Sequence, residues 1–143
     1  MTLENHENCE GVVECTALVL AESVAELGGR LTLFGILDEI RPSKNGDDTS
    51  FVVYAKFEGC EHATDRAWEA RIVISDDEGD VLMESADYSV WIEGADEPFT
   101  IVAAFDLPED YCEGGERVIW FEAVLEEETL SQTAIRLRDR YNV

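Results

Sequence analysis

Hydrophobic residues recur at every second position through most of this chain, a period that suits strands and leaves little room for helices. Phe51, Val53, Ala55 and Phe57 form an apolar stripe opposed by Val52, Tyr54, Lys56 and Glu58, the pattern of a half-buried strand. Trp68, Ala70, Ile72 and Ile74 repeat it against Glu69, Arg71 and Ser75. Tyr88, Val90 and Ile92, then Phe99, Ile101, Ala103 and Phe105, and finally Thr133, Ile135 and Leu137 do the same. Successive strand side chains point to opposite faces, so each stripe commits one face to a core.

Turn chemistry separates the stripes. Asp76-Asp77-Glu78-Gly79 lies between two extended runs and predicts a hairpin from the Trp68 strand into one beginning near Asp80. Gly28-Gly29 can supply positive φ in a tight turn between Cys15–Leu27 and Arg30–Ile40. The first of these segments also fits a helical face through Ala17, Leu18, Leu20, Ala21, Val24, Ala25 and Leu27, but the Gly-Gly link favours a hairpin. Val118 to Leu125 is apolar at both parities except at Glu122, which suggests a central strand covered on both sides or one at a sheet-to-sheet corner. Glu126-Glu127-Glu128 connects it to the last strand.

About eight strands follow, and the expected fold is an all-β, single-domain antiparallel β-sandwich, Ig-like in architecture. Residues 15–143 form the domain and residues 1–14 an acidic N-terminal tail. The predicted core is Leu20, Leu33, Phe51, Val53, Phe57, Trp68, Ile72, Ile74, Tyr88, Val90, Ile101, Phe105, Phe121, Ile135 and Leu137.

Charge decides which partners are excluded. Thirty-three Asp and Glu against ten Lys and Arg leave the 143 residues at −23. Neutralising phosphates needs clustered basic residues, and the only dense group is Arg136, Arg138 and Arg140, so direct binding to nucleic-acid phosphates and to anionic membranes is excluded. With 45 % hydrophobic residues the chain still has the material for a core, which places the charge on the surface. Self-repulsion then predicts a melting temperature that rises with salt, and with mild acidification wherever like charges crowd, as in the three consecutive glutamates.

The first fifteen residues have neither the basic nor the apolar region of a signal peptide, and the longest apolar run, Ala17 to Ala21, is far short of the ~20 residues of a membrane helix. The expected location is cytoplasmic. Cys9, Cys15, Cys60 and Cys112 are then expected to be reduced, since their spacing gives no disulfide framework.

Possible chemistry is sparse. His6, Cys9, Cys15, Cys60 and His62 are of the right types for tetrahedral zinc, but their spacing matches no compact knuckle, and buried reduced cysteines explain them as well. Asp76, Asp77, Glu78 and Asp80 could gather oxygens for calcium, yet the Asp-x-Asp-x-Asp-Gly frame and later bidentate glutamate are missing, and an Asx-type turn accounts for them. No Gly-x-Ser-x-Gly elbow occurs, and Gly28-Gly29 and Gly114-Gly115 lack phosphate-binding frames. Neither a cofactor nor catalysis is expected. Trp91 has the parity of Asp87, Ser89 and Glu93, so it is the candidate exposed anchor, with Arg136 and Arg138 as further candidate protein contacts.

The run Ala17 to Ile40, with Glu22, Gly29, Arg30, Leu31, Gly35 and Asp38, resembles the opening of a family of small uncharacterised β-sandwich proteins of bacteria and phages, in which an early strand ends on an acidic residue. Phe105-Asp106-Leu107-Pro108 through Gly114-Gly115-Glu116-Arg117-Val118 resembles that family's closing hairpin, although the aromatic arrives late, at Trp120. The resemblance implies a fold and no activity. Two functions are expected from the whole. One is a non-catalytic interaction or assembly module of bacterial or phage origin, binding a protein partner or its own copy through an edge strand or a Trp-bearing face. The alternative is an acidic nucleic-acid mimic that inhibits a basic partner.

Overall fold

Each alternating stripe becomes a strand. The computed structural model describes residues 12–41, 49–60, 66–94, 97–108 and 115–138, and among these there is no helix. Ten strands follow in chain order: β1 (Val13–Leu27), β2 (Arg30–Ile36), β3 (Glu39–Ile40), β4 (Thr49–Gly59), β5 (Trp68–Asp76), β6 (Val81–Glu84), β7 (Tyr88–Val90), β8 (Phe99–Leu107), β9 (Arg117–Leu125) and β10 (Glu128–Leu137). They make a four-stranded sheet, β2-β1-β4-β8, and a larger one, β3-β10-β9-β5-β6, in which β7 also pairs with β5. The fold is a β-sandwich.

The inward faces meet at aromatic rings. Phe51 stacks on Phe105 across the β4–β8 pair, and Phe121, from the facing sheet, meets Phe51 edge to face with ring centres 5.7 Å apart. Around them Val53, Phe57, Ile72, Ile74, Val90 and Ile119 are wholly excluded from water. Such aromatic pairs add about 0.5–1.5 kcal/mol to the area they bury. Strand β9 lies between β10 and β5, but the two-sided cover expected for Val118 to Leu125 holds only at Ala123, Val124 and Leu125, since Val118 is exposed and Trp120 and Glu122 are partly buried.

Several expectations change. There are ten strands rather than eight, partly because Arg30–Ile40 divides: Leu37 and Asp38 carry the chain from β2 in one sheet to β3 in the other. Strand β3 pairs with β10 in parallel, so the sandwich is not wholly antiparallel. The segment likened to a closing hairpin is no hairpin, because β8 pairs with β4 and β9 with β5 and β10, in different sheets. Strand β1 does not stop at Glu22 but continues to Leu27, and it begins at Val13, which is buried. Trp68 and Tyr88 are only partly buried against the core.

Leu33 is the instructive miss. It has the alternation of a core residue, yet it is half-exposed, because β1 leaves β4 after Ala21. From there β1 pairs with β2 alone, and no residue from Glu22 to Ile36 is buried. The pair is a two-stranded ribbon extending from the sandwich.

Candidate interaction surface

The ribbon's turn determines what its outer edge offers. Gly28 and Gly29 both have positive φ, 59° and 79°, as a two-residue type I′ turn requires. Such a turn is closed by a hydrogen-bonded pair, here Leu27 and Arg30, and pairing then alternates along the ribbon. Arg30, Thr32 and Phe34 therefore direct their N–H and C=O groups at β1. Leu31 and Leu33 direct theirs outward, to an edge with no neighbouring strand among the described residues. The alternation breaks at Gly35, past which the Leu37 N–H donates to the Leu20 carbonyl at 2.9 Å. Gly35 also has φ 68°, and a Cβ there would fall 2.7 Å from the Glu22 side chain, so that glutamate lies across the ribbon in the space glycine leaves.

Among the described residues the other sheet edges differ in kind, and the longest is β10, which β3 pairs with only at Arg136 and Leu137. Strands β3, β6 and β7 have two, four and three residues. Strand β8 is longer, but Tyr88 from the facing sheet reaches it and its hydroxyl donates to the Val102 carbonyl at 3.3 Å. Proteins ordinarily blunt an edge with charge, proline, a bulge or brevity. Strand β2 is seven residues long, with Arg30 as its only charge and with Leu31, Phe34 and Ile36 45 %, 45 % and 59 % exposed.

The apolar character continues onto the sheet. Rows of outer parity across β1, β4 and β8 read Val19, Tyr54, Val102 and then Ala21, Val52, Ala104, with Ile36 beside Ala21, and of these Ala21 is wholly buried. No carboxylate stands in these rows. Elsewhere acidic residues occupy strands and turns of both sheets.

The residues singled out from the sequence do not form one site. Trp91 is 45 % exposed, as its parity implied, and follows β7 at one edge of the larger sheet. Arg136 is exposed on β10, two strands away beyond β5 and β9. Arg138 is engaged within the molecule: it bonds Glu116 at 2.7 Å and Glu39 at 3.3 Å, and these contacts hold the Glu39 carboxyl below the usual carboxylate range. A guanidinium so occupied has little left for a partner.

Asp76, Glu78 and Asp80 place ligand oxygens within 4.8 Å of one another. Asp76 Oδ1 accepts the backbone N–H groups of Glu78 and Asp80, both at 2.9 Å, which is the Asx-type turn foreseen. Beside it an open cavity of about 320 Å³ is bordered by Trp120, Glu122 and Gln132. His6, Cys9 and His62 of the zinc grouping lie outside the described residues, as does Cys112. Cys60 is disulfide-bonded, which corrects the expectation that all four cysteines are reduced. Cys15 is free, and partial burial pushes its thiol up.

Three contacts were missed entirely. Arg66 lies over the Trp68 ring, 4.0 Å from its centre, and pairs with Glu126, while Arg71 grips Glu127 through both terminal nitrogens at 3.0 and 3.3 Å. Only the strand order brings those arginines to the glutamates, so no local pattern announces them.

The chain matches no protein-family model and no curated protein sequence. Among solved structures it is similar to an alkylpurine DNA glycosylase of Pseudomonas fluorescens, with TM-score 0.53 and 10 % identity, over 94 % of this chain and 35 % of that one. It is thus only about a third as long as that enzyme. An immunoglobulin-like protein of Pseudomonas aeruginosa aligns with TM-score 0.49 and 12 % identity, over 90 % of this chain and 98 % of the other. At such identities the likeness concerns the fold alone. The class is a two-sheet β-sandwich.

Proposed function

We propose that the protein is a non-catalytic interaction module that takes up a partner strand along the open edge of β2. The observation that carries this is the character of the β2 edge: its backbone groups at Leu31 and Leu33 face outward, Arg30 is its only charge, and Leu31, Phe34 and Ile36 are exposed, whereas β10, without a strand beside most of its outer side among the described residues, carries Glu128 and Gln132 there. Main-chain pairing would give affinity, and the outward Phe34 and Ile36 would give selectivity. An assembly role of bacterial or phage origin is part of the same proposal, motivated by the resemblance of the front segment. Nucleic-acid mimicry gains nothing from the arrangement, since the carboxylates are spread over both sheets rather than gathered on one face.

The test uses proline. Leu33→Pro deletes an N–H that points away from β1, leaving the ribbon's own bonds in place. Capture of a host protein by the wild type that this substitution abolishes, with melting temperature unchanged, supports the module. Equal capture by both, or a turnover lost on a point mutation, defeats it. The cytoplasmic location remains a proposal too, and the disulfide at Cys60 weighs against it because cytosolic thiol pools keep such bonds reduced. Thiol trapping in host lysate decides: an alkylated Cys60 supports the cytoplasm, and a blocked one excludes it.

A further inference from the structure

Apart from the β2 edge, we infer a second site: the cavity of about 320 Å³ beside the β5–β6 turn receives the guanidinium of an arginine side chain from a protein partner, laid on Trp120 and held by Glu122, Asp77 and Ser75.

Strand register builds the cavity. Trp120 and Glu122 share one face of β9, opposite in parity to the buried Phe121, and so stand on the outside of the larger sheet. Trp120 lies between Ser75 of β5 and Ala134 of β10, and neither neighbour is long enough to cover an indole. Glu122 lies beside Gln132, and the turn after β5 brings Asp77 to the rim.

The groups that meet here are unspent acceptors. Ser75 is only 6 % exposed, yet its hydroxyl has no hydrogen-bond partner among the described residues, and it borders this cavity. Buried polar groups are almost always satisfied, so one left open at a cavity wall points to a donor that completes it. Glu122 accepts the Thr129 hydroxyl through Oε1 at 3.2 Å, and neither Glu122 nor Asp77 is ion-paired among the described residues. The arginines nearest in register do not fill the place. Arg71, diagonal to Glu122, is bound to Glu84 and Glu127, and Arg136, diagonal to Trp120, does not border the cavity.

The same molecule shows the arrangement filled elsewhere. Arg66 lies 4.0 Å from the centre of the Trp68 ring and pairs with Glu126. Trp120 with Glu122 repeats two of those three parts and lacks the arginine. A guanidinium is flat, stacks on an indole and donates several hydrogen bonds at once. The field of a −23 body draws it in and turns anions away. Because the cavity is open, the side chain can enter from a partner's backbone. Within a chain it also brings no carboxylate for the acidic surface to repel.

The test is titration of the intact protein with N-acetyl-arginine amide, followed by NMR at the Trp120 indole N–H, which Trp120→Phe assigns. A dissociation constant of about 1 mM or below is expected at about 0.02 M salt, weakening at least about fivefold at about 0.5 M. The citrulline analogue, alike in shape but uncharged, should bind at least about tenfold more weakly. Free arginine should also bind more weakly than the capped form. Trp120→Leu and Glu122→Gln should each weaken binding at least about fivefold, and Ser75→Ala about threefold. Should Trp120→Leu fail to fold, Glu122→Gln decides. Citrulline bound as well as arginine overturns the inference, as does affinity unchanged in Glu122→Gln, or a response spread over all the acidic turns that survives Trp120→Leu. Free arginine bound more tightly than the capped form overturns the partner side chain as occupant. None of these outcomes depends on Leu33→Pro, so the strand-uptake reading stands or falls separately.

Discussion

The β1–β2 and β9–β10 hairpins turn through the same backbone shape on opposite chemistry. Both use two residues with positive φ, but one pair is Gly28-Gly29 and the other is Glu126-Glu127, at 50° and 71°. Glycine reaches that region freely, whereas for other L-residues it costs about 1–2 kcal/mol each. The glycine turn needs no support from elsewhere and sits at the tip of a ribbon with nothing buried. The glutamate turn is held down. Arg66 grips Glu126, Arg71 grips Glu127, and the Glu126 carboxylate accepts the Glu69 backbone N–H at 2.9 Å. A turn cheap in itself can project outward, and a strained one has to stay where the rest of the fold can hold it.

The largest expected difference between the hairpins lies in their aromatics. Phe121 on β9 is fully buried, and truncation to Ala should cost about 3–5 kcal/mol in chemical denaturation. Phe34 on β2 is 45 % exposed, so Phe34→Ala, measured on dilute monomer, should change stability by less than about 0.5 kcal/mol. Comparable losses at the two sites would mean the ribbon is packed in solution, and the comparison would collapse.

Exchanging the turns sharpens it further. Gly28→Glu with Gly29→Glu places glutamates where no atom outside the turn lies within 4 Å of the new Cβ positions, so the backbone cost, about 2 kcal/mol or more, is unrelieved. The loss should appear as faster amide exchange across Ser23 to Phe34, with the sandwich melting as before. A global fall in melting temperature would show that the ribbon unfolds with the body. In the other turn, Glu126→Asn with Glu127→Gly gives the residues this shape prefers. Relief of strain then outweighs exposed ion pairs worth about 0–1 kcal/mol each, and melting should rise by a few degrees, about 1 kcal/mol. A drop would assign more to the arginines than exposed pairs usually give.

The sequence disclosed these two turns unequally for the same physical reason. Gly-Gly between alternating runs is a local signal, and the hairpin it predicts is present. Three consecutive glutamates offer no such signal, because what lets them turn is Arg66 and Arg71, about 60 positions away in sequence and adjacent only through the β5–β9 pairing. Leu33 failed the other way. Its parity is that of a core residue, but burial needs a strand beside β1 past Ala21, and among the described residues none but β2 lies there. Periodicity reports which face is apolar and is silent on which strand ends up at an edge. The open edge of β2 is therefore legible only once the strand order is known, while Trp91, whose exposure depends on parity alone, could be placed from the sequence. Arg138 shows the converse limit, since its charge was visible and its engagement with Glu39 and Glu116 was not.

The smallest effect concerns acid, and it reverses the trend expected for crowded glutamates. Repulsion within Glu126–Glu128 would favour protonation, yet Arg71 beside Glu127 holds that carboxyl below its usual range. A carboxylate with a lowered pKa in the folded state contributes stability that is fully present above its unfolded pKa of about 4.3 and disappears as pH falls through the folded value. Glu127→Gln keeps the size and the positive φ and removes only the charge, so backbone strain cancels in the comparison. The variant should melt slightly below the wild type at about pH 7, and the two curves should converge as pH is lowered from about 4.3 toward 3. Being fully exposed, the pair should also lose its contribution in high salt. A gap that persists at low pH would mean that geometry, rather than charge, makes Glu127 suit this turn. The glutamate hairpin would then need no more electrostatic support than the glycine one.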